Sequence, residues 1–330
     1  MTLSNIKIKS IEMYHPANKM TNTFYINWYK EKGIDVTSLL ENVLGRNERY
    51  IINEPNENAL TMAISAAKKV LEKEGLSGKD IDVLYFATST PESLLPSNAM
   101  QIHQAIGGGN HTLAMDINAN CSGMLVAIEN ASRYMQANPH VSRSLIVGAD
   151  SLSLISSPED PITYANFGDS ACAVILEKTE EETGFVDAIY ATDTTDVNAL
   201  SFPVGGGAKF ITSKNPNIYI KELAPPVDTI PKTLNLIDTL LSKHGMTMKN
   251  IDVICPSQFV KRNIERVREH YDMKEEQLIF VGDKYGYTGV TSPLLALYNG
   301  ITTGKIKRGD TILFYTIATG HLIIAMIFHY

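Results

Sequence analysis

Cysteine is scarce in this 330-residue chain: Cys121, Cys172 and Cys255 stand far apart and are odd in number, which argues against a disulfide framework and for a reducing compartment. No CxxC or similar ligand spacing occurs, so neither a metal nor a cofactor is expected. Nowhere do 18 apolar residues run together, and the opening stretch MTLSNIKIKSIEMYHP holds no uninterrupted apolar segment; the sequence supports neither a membrane span nor a secretion signal. An excess of positive charge is missing too. Lys and Arg number 29 against 36 Asp and Glu, a net charge of -7, which speaks against a nucleic-acid partner while leaving room for a local basic patch. The expected setting is the cytoplasm.

What is present is a repeat. VLEKEGLSGKDIDVL (Val70 to Leu84) recurs as LLSKHGMTMKNIDVI (Leu240 to Ile254), with Leu, Lys, Gly, Lys, Ile, Asp and Val at matching places. An echo at about half the chain length means one supersecondary unit laid down twice. Two pseudo-symmetric halves follow, residues 1–178 and 179–330, and a site belongs where they meet.

Each copy reads as a helix, a glycine stop and a buried strand. Leu60, Ala63, Ile64, Ala67, Val70 and Leu71 fall at helical spacing, Gly75 supplies a left-handed cap, and IDVLYFATS follows as a strand. Further units alternate likewise: a helix from about 97 to 106, the strand TLAMDI, a helix from about 122 to 136, then SLIVGAD. The second half offers GVTSPLLALYNGI and DTILFYTIA as partners of the last two. Strands alternating with helices of this length predict parallel pairing and sheets covered on both faces. The expected architecture is α/β, two stacked halves in five layers, α-β-α-β-α. Segments 15 to 56 and 190 to 226 break the rhythm and read as excursions over the core, where substrate-specifying loops usually lie. Gly205, Gly206 and Gly207 lack the ending of a phosphate loop and read as a surface turn.

Cys121 lies after a strand and at the first turn of an apolar helix, where free N–H groups and the helix dipole favour a thiolate and can receive a thioester oxyanion. By position alone a small core residue is the alternative. Cys172 and Cys255, both in strands, read as core.

DINANCSG, followed about 45 residues later by YANFGDSACAVILE, resembles the thiolase-fold condensing enzymes, ketoacyl-ACP synthase III in particular. NERYIINEPNENALTMA, FATSTPESLLPSNAMQIHQAIG and GKIKRGDTILFYTIATG extend the resemblance over essentially the whole chain. It implies that Cys121 takes an acyl group from a thioester, with its own N–H and the turn at Thr319 and Gly320 forming the oxyanion hole. It also implies docking of an acyl carrier protein near Arg262, helped by Lys261 and Arg266, and pairing into a homodimer or heterodimer through the sheet edge beside the nucleophile helix. The family's adenine-stacking tryptophan has no counterpart in TSLLENVLGRNERY, so a carrier-bound acyl group is favoured over acyl-CoA.

The resemblance also shows a departure. Where the family's His-Gln-Ala-Asn motif begins, this chain reads PSQFV, with Ser257 at the histidine place; where the family has its Asn, DKYGYTG places Tyr287. Serine is no base near neutral pH, and a phenol donates a hydrogen bond far better than it accepts a proton. The reading is therefore an acyltransferase of the ketoacyl-ACP synthase III type in specialised fatty-acid or polyketide-type metabolism. Two alternatives stand beside it: a non-catalytic or half-catalytic subunit paired with a complete homologue, and a decarboxylative synthase with an atypical site. His321, His103 and His244 read as structural.

Overall fold

The computed structural model describes residues 5–223 and 227–330; residues 1–4 and the last three of the second excursion, 224–226, lie outside it. The echoed segments take the same local shape. Gly75 and Gly245 both sit at φ +63, ending the helices Ala59–Lys73 and Ile230–Lys243 where a side chain would be strained. Ser77 with Asp80, and Thr247 with Asn250, then form equivalent capping boxes. The echoed aspartates follow suit: Asp82 accepts from the N–H groups of Ser142 and Arg143, and Asp252 from that of Thr311. Each thereby fixes the register of its strand against the next.

Two sheets result. The first has the order Asn5–Tyr14, Ser170–Thr179, Arg143–Asp150, Val83–Ala87, Leu113–Ile117. The second runs Gly184–Thr192, Leu322–His329, Thr311–Ala318, Val253–Pro256. A single parallel bridge from Ile254 to Leu278 stands where a fifth strand would be. The matching positions correspond in order and in direction.

Both sheets are mixed, contrary to the all-parallel expectation. Val83–Ala87 runs parallel to both its neighbours, but Ser170–Thr179 is antiparallel to Arg143–Asp150 and to Asn5–Tyr14. The link from Asp150 to Ser170 holds only the four-residue helices Leu152–Ile155 and Pro161–Tyr164. No long crossover helix carries the chain back, so the strand returns in the opposite sense.

Alternation along the strands sorts side chains into layers. Val83, Tyr85 and Ala87 face the space between the sheets, and Leu84 and Phe86 face the outer helices. The central layer is the helix pair Gly123–Ala137 and Ser292–Thr302, packed on both sheets, while Ala59–Lys73 with Asn98–Ala105 covers the outside of the first sheet and Ile230–Lys243 with Lys261–His270 that of the second. Cys172 and Cys255 are fully buried in the central layer. His103 bonds the Gly109 carbonyl at 2.9 Å, and His244 bonds Asp187 at 2.9 Å. Burial alone would raise the Asp187 carboxyl, but Lys243, His244 and Arg133 hold it well below the usual carboxylate range. No helix among the described residues is long and apolar enough to cross a membrane, and none of their side chains form a group of three or more His, Cys, Asp or Glu suited to a metal ion.

The first excursion carries its own small apolar cluster, Tyr25, Tyr29, Val36, Leu40 and Leu44 with Ala165, so the leucines of TSLLENVLGRNERY are packed inward at Leu40 and Leu44. The second begins after the strand Gly184–Thr192, three residues later than the sequence suggested. Gly205 and Gly206 form an exposed turn ahead of the helix Gly207–Thr212.

Candidate active site

Cys121 occupies the turn Asn120–Ser122, which joins the strand Leu113–Ile117 to the helix Gly123–Ala137. Asn120 takes φ +47, a left-handed conformation that asparagine tolerates, and the sharp turn lifts the thiol from the sheet. All three turn residues are tied to the second half. Asn120 donates to Thr319 O at 3.4 Å, Thr316 Oγ1 donates to Cys121 O at 3.4 Å, and Ser122 Oγ donates to Leu322 O at 3.2 Å. The thiol therefore stands on the seam between the sheets.

It packs against a small apolar cluster of Leu152, Phe167 and Tyr287, which Ile155 and Ile220 also join. The polar groups nearest it are the Tyr287 hydroxyl, the backbone N–H of Thr319 and its own N–H. Thr319 stands near the sulfur, and Gly320 follows in the same turn at φ +78. His321 completes that turn at φ +53, its N–H donating to Ala318 O and its carbonyl accepting from Asp193. Among the described residues its ring makes no hydrogen bond to Cys121.

Tyr287 is held by backbone on both sides: its N–H donates to Asn166 O, and its carbonyl accepts from Gly168, each at 2.9 Å. Its hydroxyl lies between the Cys121 thiol and the Ser257 hydroxyl. Ser292 Oγ donates to Ser257 Oγ at 3.5 Å and accepts from Gln258 N at 3.3 Å. Cys121, Tyr287 and Ser257, distant in sequence, are brought together here.

The electrostatics run against the expected thiolate. Burial pushes the Cys121 thiol up to about 11, and the Asp150 carboxylate adds to the rise, outweighing the three donors. Burial also raises the Tyr287 phenol well above its ordinary range, with Cys121 as the next cause. A neutral thiol beside a neutral phenol is the resting state at pH 7. Alkylation of Cys121 by iodoacetamide should accelerate about tenfold per pH unit from 7 to 9 with no plateau, because the thiolate fraction grows in that proportion below its pKa. Peptide mapping of the alkylated thiol checks this, and a plateau near neutrality would restore the helix-activated thiolate.

Two buried groups went unnoticed in the sequence. Asp150, fully buried, accepts from Ser89 N at 2.6 Å, Thr88 Oγ1 at 3.2 Å and Val290 N at 3.0 Å, and burial pushes it up to about 6. Its place at the end of the apolar strand SLIVGAD was a usable signal. Arg46, also fully buried, donates from Nε to Asn166 Oδ1 at 2.7 Å and from one terminal nitrogen to the carbonyls of Gln258 and Phe259, the latter at 2.9 Å. Burial draws its guanidinium down to about 9, still cationic at neutral pH. Nothing in a single sequence marks that arginine as internal.

On the basic helix Lys261–His270, Arg262 is exposed and has no ion pair among the described residues. Arg266 instead grips both oxygens of Asp228 at 2.8 and 2.9 Å, and Lys261 is half-buried with its ammonium 5.5 Å above the Phe280 ring. The basic patch is narrower than the sequence suggested.

Comparison with known proteins completes the picture. Residues 115–194 match the model of the 3-oxoacyl-[acyl-carrier-protein] synthase III family, and residues 241–330 that of its C-terminal part. A β-ketoacyl-[acyl-carrier-protein] synthase III of Bartonella tribocorum is 32% identical over 282 residues, 84% of this chain and 85% of the relative; one of Coxiella burnetii is 29% identical over 325 residues, 95% and 96%. The crystal structure of the Aquifex aeolicus 3-oxoacyl-[acyl-carrier-protein] synthase III superposes with a TM-score of 0.86 at 26% identity, covering 98% of this chain and all of that one. This chain belongs to the 3-oxoacyl-[acyl-carrier-protein] synthase III family of thiolase-fold acyltransferases.

Proposed function

We propose that this protein is an acyl-thioester transferase that loads an acyl group on Cys121 and passes it to an oxygen, nitrogen, sulfur or unusual carbon nucleophile. Ser257 and Tyr287 stand, on this reading, where the family's histidine and asparagine act, so malonyl decarboxylation is lost while acyl transfer is kept. The observation that carries it is the Cys121 thiol set against two backbone N–H donors and a phenol, with no imidazole among them. Attack forms the new S–C bond, the donor's C–S bond breaks, and the thiol proton leaves through the Tyr287 hydroxyl to the departing thiolate. Cys121 and Thr319 N–H groups hold the oxyanion, with Gly320 shaping their turn. The donor is a carrier-protein or CoA thioester, and Arg262, with Lys261 and Arg266 flanking it, receives the acidic carrier.

The same reading divides the chain into halves at 178 and 179, which the repeated strand order supports. It also pairs two copies through the strand Leu113–Ile117, an outer edge whose Leu113 and Met115 are 39% and 40% exposed. Light scattering at the monomer mass would remove that pairing.

Intact-protein mass after mixing with acyl-carrier and acyl-CoA thioesters tests the function. An adduct of one acyl group, with no carbon dioxide released from a malonyl thioester, is the expected result. A protein that takes no acyl group from any donor would instead be the silent partner of a complete homologue. The raised thiol pKa and missing base are the observations on that side.

A further inference from the structure

Three aromatic rings meet beside the thiol. Tyr287 lies 6.0 Å from Phe167 and, edge to face, 4.8 Å from Phe259. Phe167 and Tyr287 are 3% and 4% exposed, whereas Phe259 keeps 36% of its surface in the open. Phe259 is therefore the outermost ring, the one with a face to offer.

That ring is firmly carried. The Arg46 guanidinium, a charge that is costly to bury, holds the carbonyls of Gln258 and Phe259, and Asn166 Nδ2 approaches the Phe259 carbonyl at 3.4 Å. Gln258 in turn donates to Pro256 O and Ile279 O and accepts from Val281 N and Gly282 N. The chain at Gly282 passes so close that a Cβ there would come within 2.1 Å of Arg46 Nη1. A buried cation thus clamps, from inside, the backbone that carries this exposed phenylalanine.

We propose that Phe259 selects the acyl acceptor: with Tyr287 it forms an aromatic subsite for a flat, uncharged nucleophile, an aryl alcohol or aryl amine, and Arg46 is its positioning residue. The proposal rests on the acyl-transfer reading above. A ring stacked on Phe259 brings its hydroxyl or amine to Tyr287, against whose cluster Cys121 packs. The nucleophile attacks the acyl carbonyl carbon, a C–O or C–N bond forms, the C–S bond to Cys121 breaks, and the nucleophile's proton returns to sulfur through Tyr287. A carboxylate-bearing acceptor is disfavoured: it would be desolvated toward the buried Asp150, while Arg46 directs its hydrogen bonds to backbone carbonyls and Asn166.

The test loads Cys121 from an acyl thioester, removes the donor, and follows loss of the acyl mass with benzyl alcohol, a neutral aromatic acceptor, against cyclohexylmethanol. Wild type is expected to favour the aromatic acceptor about tenfold, a usual yield for one aromatic contact. Phe259→Ala should erase that preference and Phe259→Tyr should keep it. Equal rates with both acceptor types in wild type, or a preference that survives Phe259→Ala, would overturn the subsite and leave acyl transfer standing. Failure to load Cys121 from any donor would remove both.

Discussion

Cys121→Ala abolishes acyl loading: incubation with any thioester that modifies the wild type leaves the variant at its unmodified mass, a rate loss on the order of 10⁵-fold or more. The other two cysteines offer no way round, since Cys172 and Cys255 are fully buried in the central layer. Stability changes little. Alanine suits a helix start, the turn's ties to Thr316, Thr319 and Leu322 use backbone or neighbouring side chains, and the Tyr287 hydroxyl keeps Ser257 as a partner. Melting temperature and intact mass measured on the same preparation separate loss of chemistry from loss of fold. A persisting adduct in the variant would place the acyl group on another residue and end the assignment of Cys121.

The echo of Val70 to Leu84 in Leu240 to Ile254 made the duplicated sheet order legible, because its glycine, capping pair and aspartate are each required by local geometry. Strand direction was not legible at Ser170–Thr179. Direction there depends on what the preceding link lacks, and two four-residue helices leave only a weak periodic signal. The juxtaposition of Cys121, Ser257 and Tyr287 came from the resemblance rather than from spacing. The surroundings of the thiol were not legible for a physical reason: a helix start is visible in sequence, but the apolar cluster of Leu152, Phe167 and Tyr287 against which Cys121 packs and the charge of Asp150 are assembled from distant segments. Arg46 escaped for the same reason, its partners lying 120 and more residues away.

Restoring the pair tests the account from the other side. Ser257→His together with Tyr287→Asn is expected to raise carbon dioxide release from a malonyl thioester by about 10³-fold or more over wild type, since each oxyanion donor is worth about 3–4 kcal/mol of barrier. The exchange suits the site, because Tyr287 and Ser257 are neighbours: removing the phenol vacates the volume that an imidazole at 257 needs. Single variants should gain less than about tenfold, as Ser257→His alone crowds the phenol and Tyr287→Asn alone leaves a cavity, which makes the two changes strongly non-additive. The backbone beneath them is independent of both side chains, held by Gln258 to Val281 and by the backbone bonds of Tyr287 to Asn166 and Gly168. Asp150, already close enough to raise both Cys121 and Tyr287, will favour the imidazolium at 257, so the gained activity should climb with pH as the imidazole becomes neutral. A double variant that melts like wild type and still releases no carbon dioxide would show that these two side chains are not what separates this protein from a decarboxylating synthase.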